Sequence, residues 1–238
     1  MKKKSFAIAV LVMVVLAACT NSGKKPASTT NTEDAKLATV ATFKVPDFQP
    51  FDVVIRSYAV NEYTQWRSIF DADSTSRKAS GMEVIVVGRG LEKNNDIVVV
   101  FKVPDVQKAK AFFADPRLKP IMEKAGIISK PNSEFFHVFR FNADSKENQW
   151  VTITHQVKDF DSWLKVYDEE GTATRATYGL VDVALARGID NPNLVHVVFD
   201  INDMTKAKNR ISDPALKKLM MDAGVEDAPK IEFYSLGE

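Results

Sequence analysis

His155 opens a run of side chains capable of chemistry. In "THQVKDFDSWLKVYDEE", residues 154–170, it is followed by Trp163, Tyr167 and Asp168. An imidazole that could move a proton thus stands near rings that could cradle a ligand. Arg56 and Tyr58 stand two apart in "IRSYAV", and Arg89 and Arg187 close two apolar rows. By strand alternation Arg89 shares a face with Ile85 and Val87, and Arg187 with Val183 and Leu185. Such an arginine must reach a carboxylate, the solvent or an anionic ligand. His137 in "FFHVF" and His196 in "LVHVV" alternate with apolar residues and read equally well as buried structure.

Several reaction classes lack their residues. There is no G-x-S-x-G, H-E-x-x-H, C-x-x-C or Walker loop. "GRG" at 88–90 lacks a third glycine and opens a hairpin, unlike a dinucleotide fingerprint. The three histidines have no short ligand spacing, so neither a metal site nor a cofactor is expected.

The elements that must position these groups are written twice. "KAKAFFADPRLKPIMEKAGI" at 108–127 returns as "KAKNRISDPALKKLMMDAGV" at 206–225, an offset of 98. Trp66 and Asp71 match Trp163 and Asp168 at an offset of 97. Each copy reads as strand, helix, β-hairpin, helix, strand. The first helices are expected over about 63–80 and 160–178. Asp115-Pro116 and Asp213-Pro214 suit the cap and first position of later helices. Trp66 with Phe70, and Trp163 with Tyr167, lie four apart and share a helix face, which either packs on the sheet or lines a pocket. His155 shares its face with Val151, Ile153 and Val157, and its counterpart is Tyr58. Asp71 and Asp168 suit solvent or an arginine partner.

The order βαββαβ, written twice, implies an α+β fold of two tandem ferredoxin-like repeats. With "DFDSW" after the first strand, "ARG" closing the second and the "SDPALKKLMMDAGV" helix, it resembles the dimeric α/β-barrel superfamily, which includes antibiotic-biosynthesis-type monooxygenases. That resemblance covers about 51–140 and 150–236. It implies two sheets closing into a barrel, here an intramolecular pseudo-dimer that needs no second chain. The Asn, Trp and His set of the haem-degrading branch does not map onto either copy.

The N-terminus supplies an address. "MKKKSFAIAVLVMVVLAAC" has a lysine-rich start, a short apolar run and small residues before the only cysteine, Cys19. The run is short for a transmembrane helix. "LAAC" resembles a bacterial lipobox, which implies cleavage after residue 18 and a lipid on Cys19. Thr20, rather than Asp, resembles the pattern that sends lipoproteins to the outer membrane. Removing Lys2, Lys3 and Lys4 from the 32 basic residues turns the formal charge of +1 to −2, which does not suit nucleic acid. The expected organisation is a signal at 1–18, a lipidated polar tether at 19–45, repeats at 46–140 and 150–238, and a linker at 141–149.

Three functions compete: an envelope-anchored module binding a small apolar or aromatic ligand, a cofactor-independent monooxygenase-like enzyme, and a structural or partner-binding envelope protein. No catalytic set is evident, so an enzyme is not required. The candidate pocket residues are His155, Tyr58, Arg56, Trp66, Trp163, Tyr167, Arg89 and Arg187, placed either in the sheet–helix pockets or in the cavity between sheets.

Overall fold

The computed structural model describes Phe43, residues 48–144 and residues 146–237. The expected signal, Cys19 and nearly all of the expected tether lie outside the described residues. The exception, Phe43, is 5 % exposed and packs in the core of the second repeat.

The first repeat runs β1 (Phe51–Ala59), α1 (Tyr63–Ala72), α2 (Ser74–Ala79), β2 (Glu83–Gly90), β3 (Asp96–Lys102), α3 (Val106–Phe113), α4 (Leu118–Lys124) and β4 (Asn132–Phe141). The second repeats that order as β5 (Gln149–Gln156), α5 (Phe160–Glu170), α6 (Thr172–Thr177), β6 (Leu180–Gly188), β7 (Leu194–Ile201), α7 (Met204–Ile211), α8 (Pro214–Asp222) and β8 (Lys230–Leu236). Local chemistry sets the helix ends. The Asp159 carboxylate accepts from the Ser162 N–H at 2.8 Å to start α5. Asp213 accepts from Ala215 N–H with Pro214 at the first position of α8. The expected long first helix is broken in both copies, at Asp73 and at Gly171. Gly171 has φ +77°, a conformation that ends a helix and suits only glycine readily.

Each repeat forms a four-stranded antiparallel sheet, and the two sheets join edge to edge in the closed order β1-β3-β2-β8-β5-β7-β6-β4. The seams between repeats are β2 with β8 (Gly88 to Leu236, Gly90 to Tyr234) and β4 with β6 (Phe136 to Gly188, Phe141 to Ala184). Closure leaves no unpaired edge, so one chain completes the barrel that the repeat implied.

Alternation along the strands sorts side chains into two environments. The outer face packs under the helices in two cores, around Trp66 in the first repeat and Trp163 in the second, both 1 % exposed. The inner face holds two smaller clusters, one around Phe136, Val53 and Ala186, the other around Trp150, Tyr234 and Val98.

Candidate functional site

The barrel is hollow because of what its inward positions carry. Val53, Ser57, Val98, Val100, Val198, Ala184 and Ala186 are small for an eight-stranded barrel, whose interior is just wide enough for larger side chains to fill. They leave a cavity of about 370 Å³, with Asn142, Ala143, Lys146 and Glu147 of the inter-repeat linker in its wall. A volume of several hundred cubic ångströms, mostly apolar with a few polar groups, is typical of small-molecule sites.

Two devices shape this wall. A β-bulge falls in each copy, where the register slips between Val84 and Val86 and between Asp182 and Ala184. The bulged residues Ile85 and Val183 line the cavity, whereas Val87 and Leu185 lie in the outer cores. Arg89 and Arg187 therefore do not share a face with Ile85 and Val183 as simple alternation suggested; the extra residue inverts parity beyond it. The second device is Gly88, where a Cβ would stand 2.5 Å from Cζ2 of Trp150. Glycine lets the Trp150 ring lie against β2 and stack on Tyr234 at 5.8 Å.

The polar groups come from β4, β5, β7 and β8. Thr154 and His196 are paired residues on β5 and β7. The Thr154 Oγ1 and His196 Nδ1 are 2.7 Å apart, and the imidazole lies 4.9 Å from the Phe136 ring. Burial, then Lys230 and His155, pushes the His196 imidazole down to about 3, so it is neutral near pH 7. Lys230 and Glu232 form an ion pair at 2.8 Å in the same wall, beside Glu134, Asp200 and Tyr234. Burial, then Glu232, raises the Tyr234 phenol, which stays protonated. Among the described residues no three His, Cys, Asp or Glu side chains gather as metal ligands would.

None of the eight residues expected from sequence to form a pocket lines this cavity. His155 packs at 5.3 Å from Trp163, which stacks on Tyr167 at 5.2 Å, all within the outer core of the second repeat. Tyr58, Arg56 and Trp66 border a separate cleft of about 80 Å³ under the helices of the first repeat. Arg89 lies over the Tyr63 ring at 4.1 Å and donates from Nε to the Asn94 carbonyl, while Arg187 lies over Phe160 at 4.0 Å and donates to the Pro192 carbonyl. A ring and a main-chain oxygen hold each one, where the sequence left a carboxylate, the solvent or an anionic ligand open. Asp71 pairs with Arg67 and Asp168 with Arg140. His137 lies outside, bonded to Asp52 at 2.7 Å. His196 was legible only as one of two equivalent histidines, because its importance depends on which way the sheet curves.

No protein-family model matches the chain, and no curated protein matches it in sequence. Among solved structures, a candidate monooxygenase from Fusobacterium nucleatum matches at 12 % identity with a TM-score of 0.51, over 79 % of this chain and 93 % of its own. An anthrone oxidase-like protein matches at 10 % identity with a TM-score of 0.51, over 79 % of this chain and 92 % of its own. At these identities the likeness is one of fold. The chain has the ferredoxin-like dimeric α/β-barrel fold, closed as a pseudo-dimer within one polypeptide.

Proposed function

We propose that the barrel binds a small apolar or aromatic ligand carrying one hydrogen-bonding group, and that it does so as a lipid-anchored protein of a bacterial envelope. The observation that carries the binding reading is the 370 Å³ cavity itself, walled by Val, Ala, Phe and Trp with His196 as a neutral polar anchor. Burying an apolar ligand there contributes about 25 cal/mol per Å² removed from water. The imidazole and the Thr154 hydroxyl then select a ligand hydroxyl or carbonyl over bare hydrocarbon. The support for the lipid anchor at Cys19, and for an outer-membrane address, is the N-terminal sequence alone.

A second reading is a monooxygenase-like enzyme that uses the same lumen for an aromatic substrate. It is supported by the fold shared with proteins described as a candidate monooxygenase and as anthrone oxidase-like. Against it stands the low basicity of His196, since a base near 3 abstracts a proton poorly at pH 7.

Native mass spectrometry of the full chain purified from its host envelope tests the binding reading. A co-purified small molecule is expected on the wild type. Ala184 lies on the inner wall, so Ala184→Phe fills the space and is expected to weaken retention at least about tenfold, or ~1.4 kcal/mol. No adduct on wild type, together with equal uptake of an apolar fluorophore by both proteins, sinks the reading. Oxygen consumption with an added anthrone, absent in Ala184→Phe, favours the enzyme instead.

A further inference from the structure

The cleft under the helices of the first repeat carries more positive charge than its surroundings neutralise. Arg56 is only 7 % exposed, and its guanidinium lies over the Phe113 ring at 4.0 Å. Among the described residues it has no hydrogen bond and no ion pair. Arg77, 6 % exposed, lies over Phe70 at 3.8 Å and reaches Asp73 only at 3.6 Å, with Nε unpartnered among the described residues. Two buried cations thus face one carboxylate across a space of about 80 Å³, room for on the order of five waters. Burial of an unpaired guanidinium is costly, and an anion in the cleft relieves that cost.

The other copy shows how the same scaffold looks when it neutralises itself. Ile153 stands where the first repeat has Arg56, Tyr167 where it has Phe70, and Asp182 where it has Val84. Arg175, the counterpart of Arg77, is bonded to Asp182 and Glu170. The second repeat also has a second cation, Arg210 in place of Phe112, but it is bonded to Glu170; the first repeat lacks the Asp182 carboxylate and leaves its second cation, Arg56, on an open cleft.

We propose that this cleft binds the carboxylate end of a small organic acid, whose apolar or aromatic tail lies along the open mouth, where Ile121 is exposed. The rings of Phe113 and Phe70 cover the guanidinium faces and leave their edges, which suit a planar carboxylate. Trp66, Ile121 and Met122 supply apolar wall for the tail. A phosphate or sulfate would leave oxygens against that wall. Tyr58, whose phenol burial pushes up to about 12, stays protonated as a hydrogen-bond donor beside the two arginines. This site is separate from the barrel lumen and holds whether or not the lumen is occupied.

Calorimetric titration of the full chain with benzoate and with benzamide tests it, with the tryptophan indole NMR resonances recorded in parallel. Saturable benzoate binding is expected, with benzamide at least tenfold weaker and the Trp66 resonance moving while Trp150, in the lumen, stays still. Arg56→Met is expected to lose tenfold or more in benzoate affinity, with Arg56→Lys in between. Equal binding of benzoate and benzamide, shifts at Trp150 instead of Trp66, or inorganic phosphate binding as tightly as benzoate each overturn the proposal. Should Arg56→Met fail to fold, the wild-type contrast between the two probes decides.

Discussion

Arg175→Met is expected to destabilise the protein by about 3–5 kcal/mol, the cost typical of removing one partner from a buried ion pair. Arg175 donates from Nε to both Asp182 oxygens at 3.0 and 3.2 Å and from Nη1 to the Tyr167 carbonyl at 2.8 Å, with Glu170 at 3.4 Å. The Tyr167 hydroxyl donates to the same Asp182 carboxylate. Methionine leaves Asp182, 5 % exposed, charged and dependent on that single phenol. Glu170 keeps Arg210 at 2.6 Å, which limits the loss. For a domain of this size the expected fall in Tm is roughly 10–15 °C, read by circular dichroism or calorimetry.

Two comparisons give that prediction its content. The double variant Arg175→Met with Asp182→Val removes both charges and is expected to recover part of the loss, because no buried charge is left unpaired and the remaining cost is the acceptor that the Tyr167 hydroxyl loses. Arg77→Met, at the matching site of the first repeat, is expected to cost less than about 2 kcal/mol, since Arg77 has only the distant Asp73. A loss below about 1 kcal/mol for Arg175→Met, or no recovery in the double variant, refutes this role for the cluster.

Acid is expected to destabilise the protein through its two buried histidines. Burial pushes His155 down to about 4, and burial with Lys230 and His155 pushes His196 down to about 3, both from an ordinary 6.5. Between those values and 6.5 the unfolded chain binds protons that the folded chain refuses. Stability is therefore full above pH 6.5 and is lost as pH falls towards 4 and then 3. For His155 alone the loss is about 3 kcal/mol, because each tenfold weakening of proton binding in the folded state is worth ~1.4 kcal/mol. His155→Phe keeps a ring against Trp163 and removes Nε2, which is buried without a partner among the described residues. Denaturation at a series of pH values is expected to show that variant's stability falling about 3 kcal/mol less between pH 6.5 and 4. Parallel curves for variant and wild type refute the assignment. The helix-capping Asp159 and Asp203, held below the usual carboxylate range by the main-chain and side-chain groups of Ser162 and Lys206, contribute their loss only at lower pH.

The repeated elements were legible because they depend on near neighbours in sequence. Trp66 and Trp163 share faces with aromatic residues four positions on, and those faces are the outer cores, as helical spacing requires. Asp213-Pro214 caps α8 as written. Asp115-Pro116 does not repeat this: α4 starts at Leu118, and Asp115 instead holds the Arg117 N–H and guanidinium. The candidate site was less legible. His155 stands out in the sequence as a histidine written in one copy, with Tyr58 in the other, and it lies in the helix–sheet core. His196, which faces the lumen, looked no different from His137, which faces solvent.

The amino-acid sequence by itself determined that there are two copies of one βαββαβ unit and where α1, α5 and α8 start. Those features follow from residue periods, capping side chains and a 98-residue offset, all local or self-similar. Only the tertiary structure decided where the chain is hollow. A strand residue's environment on the far face depends on how two sheets close on each other, and one bulge at Ile85 or Val183 inverts it. Whether Val and Ala there leave a lumen, and whether two arginines under the helices find a carboxylate, is settled by partners distant in sequence that no local pattern encodes.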